Sequence, residues 1–399
     1  MKNIPVDSAR ALMLDLARPL RGENVLLEDA AGRTLAEPLT AVRDQPPFTA
    51  SAMDGWAVRA GDAAAGQRLK IVGESAAGRG YAGGLHSGEA VRIFTGAPVP
   101  RGADAVLIQE NATREGGTLV VNEAPAMGAN MRAQGGDFRA GAVLIEAGVR
   151  LDAWRISLAA AAGRASLFVA RRPRVAILST GDEIVPPGTQ PGLHQIFNSG
   201  APALAVLVAG WGGEAILLQP AGDSVKAIAA AVRGRDCDIV VTIGGASVGD
   251  HDLVKPALAT LGLSLAFESL QMRPGKPTSF GTLADGRYVL GLPGNPASAM
   301  VCAQLFLGPL IAALQGADPA LPMTTARLAV ALPANGPREH WMRAKLSVQN
   351  GRVAVTPFGD QDSSLVTVFA QADALVKRPS DAPPAGEGDG VEILKLNRL

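Results

Sequence analysis

The sequence predicts a multidomain α/β and β protein, in which a central doubly wound α/β domain is flanked by smaller β-rich domains. The chain has 399 residues, enough for two to four domains with sizeable cores. Its 47 glycines and 28 prolines exceed the usual combined share of about 12%, which indicates many turns and loops. Strand and helix patterns alternate in residues 173–318, whereas short β-runs broken by glycine dominate elsewhere.

The first 172 residues predict a discontinuous α+β domain with a small β domain inserted into it. Asp7 can cap a helix through "SARALMLDLARPL", and the strand-like "NVLLEDAAGRTLAEPL" follows. Glycine-broken β-runs such as "RLKIVG", "AVRIFTG" and "TLVVNEA" then succeed one another, before a mixed pattern returns with an Ala-rich helix. We assign residues 1–45 and 136–172 to the discontinuous domain and 46–135 to the inserted β domain.

Residues 173–318 predict the central α/β domain. The strands "RVAILST", "EAILLQP" and "CDIVVTIGG" alternate with helices such as "APALAVLVAG" and "DSVKAIAAAVRG", and "RYVLGLPG" leads into a last helix. Such alternation predicts a mainly parallel, doubly wound sheet. Residues 319–399 carry further β-runs, including "WMRAKLSV", "RVAVTPF" and "VEILKL", and predict a C-terminal β domain.

Composition narrows the function. The 37 basic and 37 acidic side chains balance, without the basic excess of a nucleic-acid or membrane-surface binder. Cys237 and Cys302 lie in apolar runs typical of a core, and four scattered histidines make a Cys/His zinc site unexpected. The start lacks a signal-peptide pattern, and no uncharged apolar run free of Gly and Pro approaches about 18 residues. We therefore expect a cytoplasmic protein without nucleic-acid or membrane partners.

Three unusual loops follow predicted strands of the α/β domain. They are "STGDE" at 179–183, "GGASVGDHD" at 244–252 and "GLPGNPASA" at 291–299. Ligands bind at the carboxyl ends of strands in open α/β sheets, and glycine-rich backbone leading into a helix suits phosphate. Each loop also has a structural explanation, since Asp252 and Asn295 could simply cap helices. Three such loops on one sheet edge favour a binding site.

Other charged residues add to this picture. Arg273 and Lys276 flank a Pro-Gly turn in "MRPGKPTSFG", which could direct two cations at one anion. Asp223 stands where a helix begins, so helix capping and metal or substrate binding both remain open. Asp54 in "SAMDGWAVR" precedes a β-run, where it is either a turn residue bonding to its own backbone or a functional carboxylate.

Six motifs occur in order along the chain: "PPFTASAMDGWAVR", "RIFTGAPVPRGADAV", "STGDEI", "GGASVGDHD", "RPGKP" and "GLPGNPASA". Together they closely resemble the MoeA-type molybdopterin molybdenumtransferases, a family related to the C-terminal part of gephyrin. The resemblance runs from about residue 5 to residue 395. The chain departs from patterns common in the family at Thr49, Trp56, Ser269 and Arg273.

The resemblance implies an enzyme of molybdenum cofactor biosynthesis. Such enzymes insert molybdenum from molybdate into adenylylated molybdopterin and release AMP, with Mg²⁺ assisting. It further implies a homodimer of four-domain subunits, a molybdopterin-binding α/β domain, and contacts with other proteins of cofactor biosynthesis. In the dimer, the inserted β domain would approach the α/β site of the other subunit.

The resemblance also assigns roles to residues in matching motifs. The implied catalytic residues are Asp54, Thr95, Asp137, Glu183, Asp223 and Asp252. With the loop residues singled out above, the candidate substrate-binding set is Arg132, Thr180, Gly244, Gly245, Ser247, Arg273, Lys276, Pro293, Pro296, Arg343 and Ser363. Basic and hydroxyl donors suit a doubly charged oxyanion. The carboxylates of Glu183, Asp223 and Asp252 are candidate Mg²⁺ ligands beside a pyrophosphate.

Two other functions remain as alternatives. A molybdopterin adenylyltransferase shares the α/β domain, but the flanking domains and the "SAMDG" motif argue against a stand-alone adenylyltransferase. A gephyrin-like scaffold could bind a partner through the C-terminal β domain, but the intact acidic and basic loops argue against a purely structural role.

Overall fold

The computed structural model describes residues 1–245, 253–349 and 351–396. Two predicted site residues, Ser247 and Asp252, lie outside the described residues. The predicted combination of an α/β domain with β-rich regions is confirmed. Three six-stranded sheets organise the chain, one each in the inserted segment, the α/β domain and the C-terminal region.

The sheet of the α/β domain has six strands, which we number along the chain. They are β1 (Arg174–Ser179), β2 (Glu214–Leu217), β3 (Ile239–Ile243), β4 (Ser264–Phe267), β5 (Ser279–Thr282) and β6 (Tyr288–Leu292). Their order across the sheet is β2-β1-β3-β6-β5-β4. Strands β2, β1, β3 and β6 pair in parallel, whereas β5 runs antiparallel to both neighbours. Every residue of β3 is buried, as expected for a strand covered on both faces.

Helices cover this sheet, namely Gly200–Gly210, Val225–Val232, Val254–Ala259, and a continuous helical stretch over Pro296–Leu314. That stretch consists of Pro296–Cys302, a π-helical turn over Ala303–Leu307, and Gly308–Leu314. In the described part of the chain it is the one helix long and apolar enough to cross a membrane, yet 83% of its apolar window is buried inside the protein. Its apolar surface therefore belongs to the core, where it packs with Leu290 of β6 and Phe267 of β4.

The first helix, Val6–Leu16, packs against the α/β domain. Its buried residues Val6, Ala9 and Met13 join the core formed by the sheet and the Pro296–Leu314 stretch. The prediction that Asp7 caps this helix is wrong, because the helix begins at Val6 and no side chain caps it.

Asp7 instead lies in the first turn and forms ion pairs. Its carboxylate is 2.6 Å from Arg10 and 3.5 Å from Lys377 of the C-terminal region. This helix therefore joins the α/β core and also contacts the C-terminal region.

Segments on either side of the inserted β domain pair with each other. Strand Gly22–Leu26 pairs antiparallel with Ser166–Ala170, and Leu39–Thr40 pairs with Val143–Ile145. The predicted Ala-rich helix forms as Ala153–Ala161, and Asp152 caps it by accepting from Arg155 N. These pairings fit a discontinuous unit, while the predicted domain bounds remain a prediction.

The inserted segment forms a six-stranded sheet from the predicted β-runs. In spatial order its strands are Ala105–Ile108, Gly55–Val58, Glu89–Ile93, Arg68–Ser75, Thr118–Val121 and Ala112–Glu115. Where the chain enters and leaves, Ala50–Ser51 pairs with Met131–Arg132. Both ends of the insertion are thus held together.

The C-terminal region is a barrel of five strands: Met323–Leu328, Glu339–Gln349, Arg352–Pro357, Ala374–Arg378 and Gly390–Lys395. It closes because Glu339–Gln349 pairs with both Arg352–Pro357 and Ala374–Arg378. A short strand of the α/β region, Met272–Arg273, adds in parallel at the start of Glu339–Gln349. A helix at Val366–Gln371 lies beside the barrel, and a parallel pair, Ile184–Val185 with Ile196–Phe197, follows β1.

Candidate active site

A cavity of about 1080 Å³ lies between the carboxyl ends of the α/β strands and the C-terminal barrel. All three predicted loops contribute to its lining, together with the Pro-Gly turn after β4 and barrel residues. The predicted site residues that line it are Thr180, Glu183, Asp223, Gly244, Gly245, Arg273, Lys276, Pro293, Pro296 and Ser363. Those in the loops after β1, β2, β3 and β6 lie at the carboxyl ends of the parallel strands, at the sheet edge that the sequence predicted.

Carboxylates from two loops meet at one side of the cavity. Asp223 N donates to Asp182 Oδ1 at 3.0 Å, and Asp182 N donates to Asp223 Oδ2 at 3.4 Å. Asp223 does not cap the following helix, because Ser224 is the capping residue and accepts from Ala227 N. Asp223 therefore lines the cavity beside Glu183, and the capping explanation for it is wrong.

The loop after β3 requires its glycines. Gly244 and Gly245 have φ of 94° and 61°, a backbone region that favours glycine. A Cβ on Gly244 would lie 2.8 Å from Thr180 O, and one on Gly245 would lie 2.3 Å from Val254 Cγ2. Only glycine fits here, so the backbone itself forms this part of the cavity wall.

The loop after β6 connects the two sides of the cavity. Asn295 occupies the N-cap position of the helix at Pro296–Cys302, but its side chain makes no capping bond. Its Nδ2 donates instead to Ser363 Oγ of the barrel at 2.8 Å. Capping thus does not explain the Asn295 side chain, which joins the α/β loop to the barrel.

Two cations enter the cavity from the Pro-Gly turn. Arg273 and Lys276 both line it, and within the described residues neither side chain forms an ion pair or a hydrogen bond. Gly275 between them has a φ of 113°, and a Cβ there would lie 2.3 Å from Cys302 Sγ. The tight turn packs against the core, and both cations on either side of it line the same cavity.

Both cysteines are free and buried, as the sequence predicted. Burial raises the pKa of the Cys302 thiol to about 12, with an opposing hydrogen bond from Thr278. A thiol held this firmly protonated is an inert core group.

Arg343 lies behind the cavity wall and is fully buried. Its backbone N and its Nε donate to Gln361 Oε1 at 2.9 and 3.2 Å, and Nη1 donates to Asp362 O at 2.9 Å. Burial lowers the pKa of the guanidinium, and the carboxylates of Asp360 and Asp362 oppose this shift. Arg343 does not line the cavity but supports the 361–364 segment that does, so its geometry is that of a positioning residue.

Asp54 and Thr95 meet on the inserted β domain. Asp54 Oδ1 accepts from both Thr95 N and Thr95 Oγ1 at 2.8 Å. These two hydrogen bonds lower the pKa of the exposed Asp54 carboxyl, the backbone bond most strongly. The carboxylate therefore bonds across 41 residues of sequence to another loop, rather than to its own turn.

The other predicted residues of this region lie near the base of the insertion. Arg132 sits in the Met131–Arg132 strand, and Asp137 N donates to Gln45 O at 2.9 Å. Neither these two nor Asp54 and Thr95 line the cavity of their own chain. The structure thus divides the predicted site residues between two places.

Sequence reasoning missed several cavity residues, namely Asn198, Arg338, His340, Gln361 and Asp362. Asn198 accepts from Ser179 Oγ at 3.0 Å and from Ala201 N at 3.2 Å, which ties β1 to a helix start. The signal was present in the sequence, since Gln361 and Asp362 belong to "DQDSS" and His340 adjoins "WMRAKL". Their position in the folded chain, rather than the sequence pattern, shows that these residues line the cavity.

The described residues contain no group of three or more His, Cys, Asp or Glu side chains placed to hold a metal ion. Glu183 and Asp223 both line the cavity, while the third predicted ligand, Asp252, is outside the described residues. A pair of carboxylates can hold Mg²⁺ when phosphate oxygens and waters complete its shell.

Comparisons with known proteins agree with this architecture. Family models match in chain order: the MoeA N-terminal region (domain I and II) at residues 4–163, a probable molybdopterin-binding domain at 176–313, and the MoeA C-terminal region (domain IV) at 325–396. Two solved chains of the molybdopterin biosynthesis MoeA protein from Pyrococcus horikoshii each match with a TM-score of 0.86. They are 31% and 27% identical, and cover 100% and 99% of this chain and 100% of their own.

Curated relatives span nearly the whole chain. Molybdopterin molybdenumtransferase of Haemophilus influenzae is 34% identical over 99% of both chains. The protein of that name from a Nostoc species is 37% identical over 94% of this chain and 88% of its own. The order of the domains, the cavity at the strand ends and these full-length matches agree, and the chain belongs to the MoeA family of molybdopterin molybdenumtransferases.

Proposed function

We propose that this enzyme inserts molybdenum from molybdate into adenylylated molybdopterin and releases AMP. The observation that carries the proposal is that the carboxylates Glu183 and Asp223 and the cations Arg273 and Lys276 line one and the same cavity. Cations suit an oxyanion, and carboxylates suit a divalent cation beside phosphate. The names of its full-length relatives support the same activity.

Each part of the cavity has a role in this proposal. Arg273 and Lys276 bind the doubly charged oxyanion, with Ser363 as a hydroxyl donor. The backbone at Gly244 and Gly245 forms part of the cavity wall, and in this proposal its N–H groups bind the substrate phosphates. Arg343 holds the 361–364 segment in place behind them.

Glu183 and Asp223 are the residues we propose for Mg²⁺, together with Asp252. Their oxygen ligands fit this hard cation, which binds through one or two carboxylates plus phosphate oxygens. When bound, Mg²⁺ would offset charge on the pyrophosphate of the substrate. The chain itself orients the substrate and limits water at the reacting bond.

We also propose that the enzyme acts as a homodimer in the cytoplasm. Asp54, Thr95, Arg132 and Asp137 lie away from the cavity of their own chain, so in the proposal they serve the cavity of the partner subunit. Two free cysteines are compatible with a reducing compartment. Other proteins of cofactor biosynthesis are proposed as further partners.

Molybdate-dependent release of AMP from adenylylated molybdopterin tests the proposal. Formation of adenylylated molybdopterin from molybdopterin and ATP would instead support the adenylyltransferase alternative. Binding of a partner through the barrel without either turnover would support a scaffold. Release of AMP that requires no molybdate would contradict the proposed reaction.

A further inference from the structure

His340 is a cavity residue with no role in the function proposed above. It is only 6% exposed and lines the cavity at the start of barrel strand Glu339–Gln349. Within the described residues, nothing hydrogen-bonds to its imidazole. Among the described residues, the side-chain nitrogens that are both fully buried and without a hydrogen-bond partner belong to Arg10 and Arg343. The imidazole nitrogens of His340 are not among them, so the imidazole remains accessible from the cavity.

The neighbour of His340 across the strand pair is Arg273. The two are direct partners in the parallel pairing of Met272–Arg273 with the barrel strand. Paired residues project from the same face of a sheet, and both of these line the cavity. Arg273 comes from the α/β domain and His340 from the barrel, so the junction of two domains brings them together.

Positive charge surrounds this imidazole. Arg273, Arg338 and Arg343 act with burial to lower the pKa of His340 to about 3, with burial the largest cause. Arg378, its partner on the neighbouring barrel strand, donates to Pro333 O and Pro383 O. Asp362 is the carboxylate of the adjoining cavity segment. At neutral pH the imidazole is uncharged and still carries one N–H donor.

We propose that His340 donates a hydrogen bond to the tetrahedral oxyanion held by Arg273, and is thus a substrate-binding residue of the barrel. This inference rests on the proposed function. A neutral donor adds direction to the site without adding a fourth positive charge to three nearby arginines. The oxyanion is either free molybdate or the phosphate of the adenylylated substrate.

Equilibrium binding at pH 7 tests the proposal, with molybdate alone and AMP alone as the probes. The variants are His340→Ala, which removes the donor, and His340→Gln, which keeps a neutral N–H. His86→Gln, at an exposed histidine of the inserted β domain, is the matched control. We expect His340→Ala to weaken binding of one probe about tenfold or more, as for a hydrogen bond to a charged group. His340→Gln should retain most of the affinity, and His86→Gln all of it.

The two probes identify the source of the oxyanion. A loss confined to molybdate assigns His340 to the free oxyanion, and a loss confined to AMP assigns it to the substrate phosphate. Unchanged binding of both probes in a folded His340→Ala protein overturns the proposal. If that variant does not fold, ¹⁵N NMR of the native protein decides. A saturable shift of a histidine signal on adding molybdate or AMP, absent from His340→Gln, supports the proposal, and no such shift with either overturns it.

Two further readouts separate the possible explanations. Molybdate affinity that rises as pH falls through about 6.5, and no longer does so in His340→Gln, would show a charged imidazolium and overturn the neutral donor. Molybdate-dependent AMP release is measured separately on the unmodified enzyme. Its absence, with the His340 binding pattern intact, would refute the proposed function and leave this inference standing.

Discussion

Two regions differ in whether their polar side chains already have partners within the protein. One is the cavity between the α/β sheet and the barrel, and the other is the Asp54 turn of the inserted β domain. In the cavity, Arg273 and Lys276 make no ion pair among the described residues, and the imidazole of His340 has no hydrogen-bond partner there. On the β domain, Asp54 is exposed yet already accepts two hydrogen bonds from Thr95. The cavity therefore has donors available for a ligand, while the Asp54 carboxylate is held in one orientation at a surface.

A complete binding site has donors that line its own cavity, whereas a residue that contributes to a site elsewhere lies outside any cavity of its own chain. Of the three cavity donors His340 is the buried one, and a buried donor left unpaired is costly, so a protein retains it where a ligand completes it. Asp54, in contrast, is a surface carboxylate that Thr95 holds in one orientation, and it does not line the cavity of its own chain. Its orientation is therefore fixed in advance for a ligand that the same chain does not bind there. The experiments below test whether the two places act on one reaction.

The largest expected effect on turnover is at the carboxylate side of the cavity. Glu183→Gln should fold normally and lose about 100-fold or more of turnover, because it removes a charge without changing shape. Steady-state AMP release and the thermal unfolding midpoint measure the two outcomes. Glu37→Gln, at an exposed glutamate outside the cavity, is the control. Near-native turnover of Glu183→Gln at low Mg²⁺ would contradict the assignment.

The cationic side should show a selective effect. Arg273→Ala combined with Lys276→Ala should raise the molybdate concentration for half-maximal rate about 10- to 100-fold per lost contact. Binding of the adenylylated pterin should persist, because the glycine loop proposed for its phosphates remains. The control is Lys345→Ala on barrel strand Glu339–Gln349, where the Lys345 side chain is exposed and lies outside the cavity lining. Collapse of pterin binding with an unchanged molybdate dependence would place the pair on the organic substrate.

Mixed dimers test whether the Asp54 turn serves the partner's cavity. Asp54→Asn and Glu183→Gln chains, each inactive alone, are unfolded, mixed equally and refolded together. Half the dimers should be mixed, each with one doubly altered and one intact site, so activity should return to roughly a quarter of the native value. If Asp54 acts within its own chain, every site carries one lesion and no activity returns. Native mass spectrometry confirms that subunits exchanged.

The smallest expected effect is on the pH dependence of the free energy of unfolding, which should differ between His340 in the cavity and Asp54 on the inserted β domain. His340 has a folded pKa of about 3, below the unfolded value near 6.5, so the unfolded chain binds more protons between them. The free energy of unfolding should fall as pH drops from about 6.5, by at most about 1.4 kcal/mol per pH unit from this group. His340→Gln should flatten that slope in denaturant titrations.

The Asp54 carboxyl should behave differently in the same experiment. Its pKa is lowered from 3.8, so the stability it contributes is present above 3.8 and is lost only as pH falls through the folded pKa. Thr95→Val should move the Asp54 pKa back toward 3.8 in an NMR titration and remove part of the stability that the lowered pKa contributes above pH 3.8. For His340, equal pH slopes of the free energy of unfolding in the native protein and in His340→Gln would argue against a buried neutral imidazole.

Much of the fold follows from local patterns. The buried strands Arg174–Ser179, Ile239–Ile243 and Tyr288–Leu292 coincide with apolar runs in the sequence, because continuous burial leaves a direct trace in residue order. Helix starts were less predictable. Asp7, Asp223 and Asn295 all looked like caps, yet each side chain bonds elsewhere, since a short polar side chain near a helix start can choose among several partners.

The residue pattern alone was sufficient to predict that the three glycine-rich loops lie at one sheet edge, because parallel strands all have their carboxyl ends there. It could not place the barrel against that edge. The pairing of Arg273 with His340, the bond from Asn295 to Ser363 and the separation of Asp54 from the cavity arise where domains pack together. The bond from Asn295 to Ser363, for example, joins residues 68 positions apart that belong to different domains. No local periodicity encodes the relative placement of two domains. Which of the predicted residues come into contact therefore depends on how the domains pack in the tertiary structure.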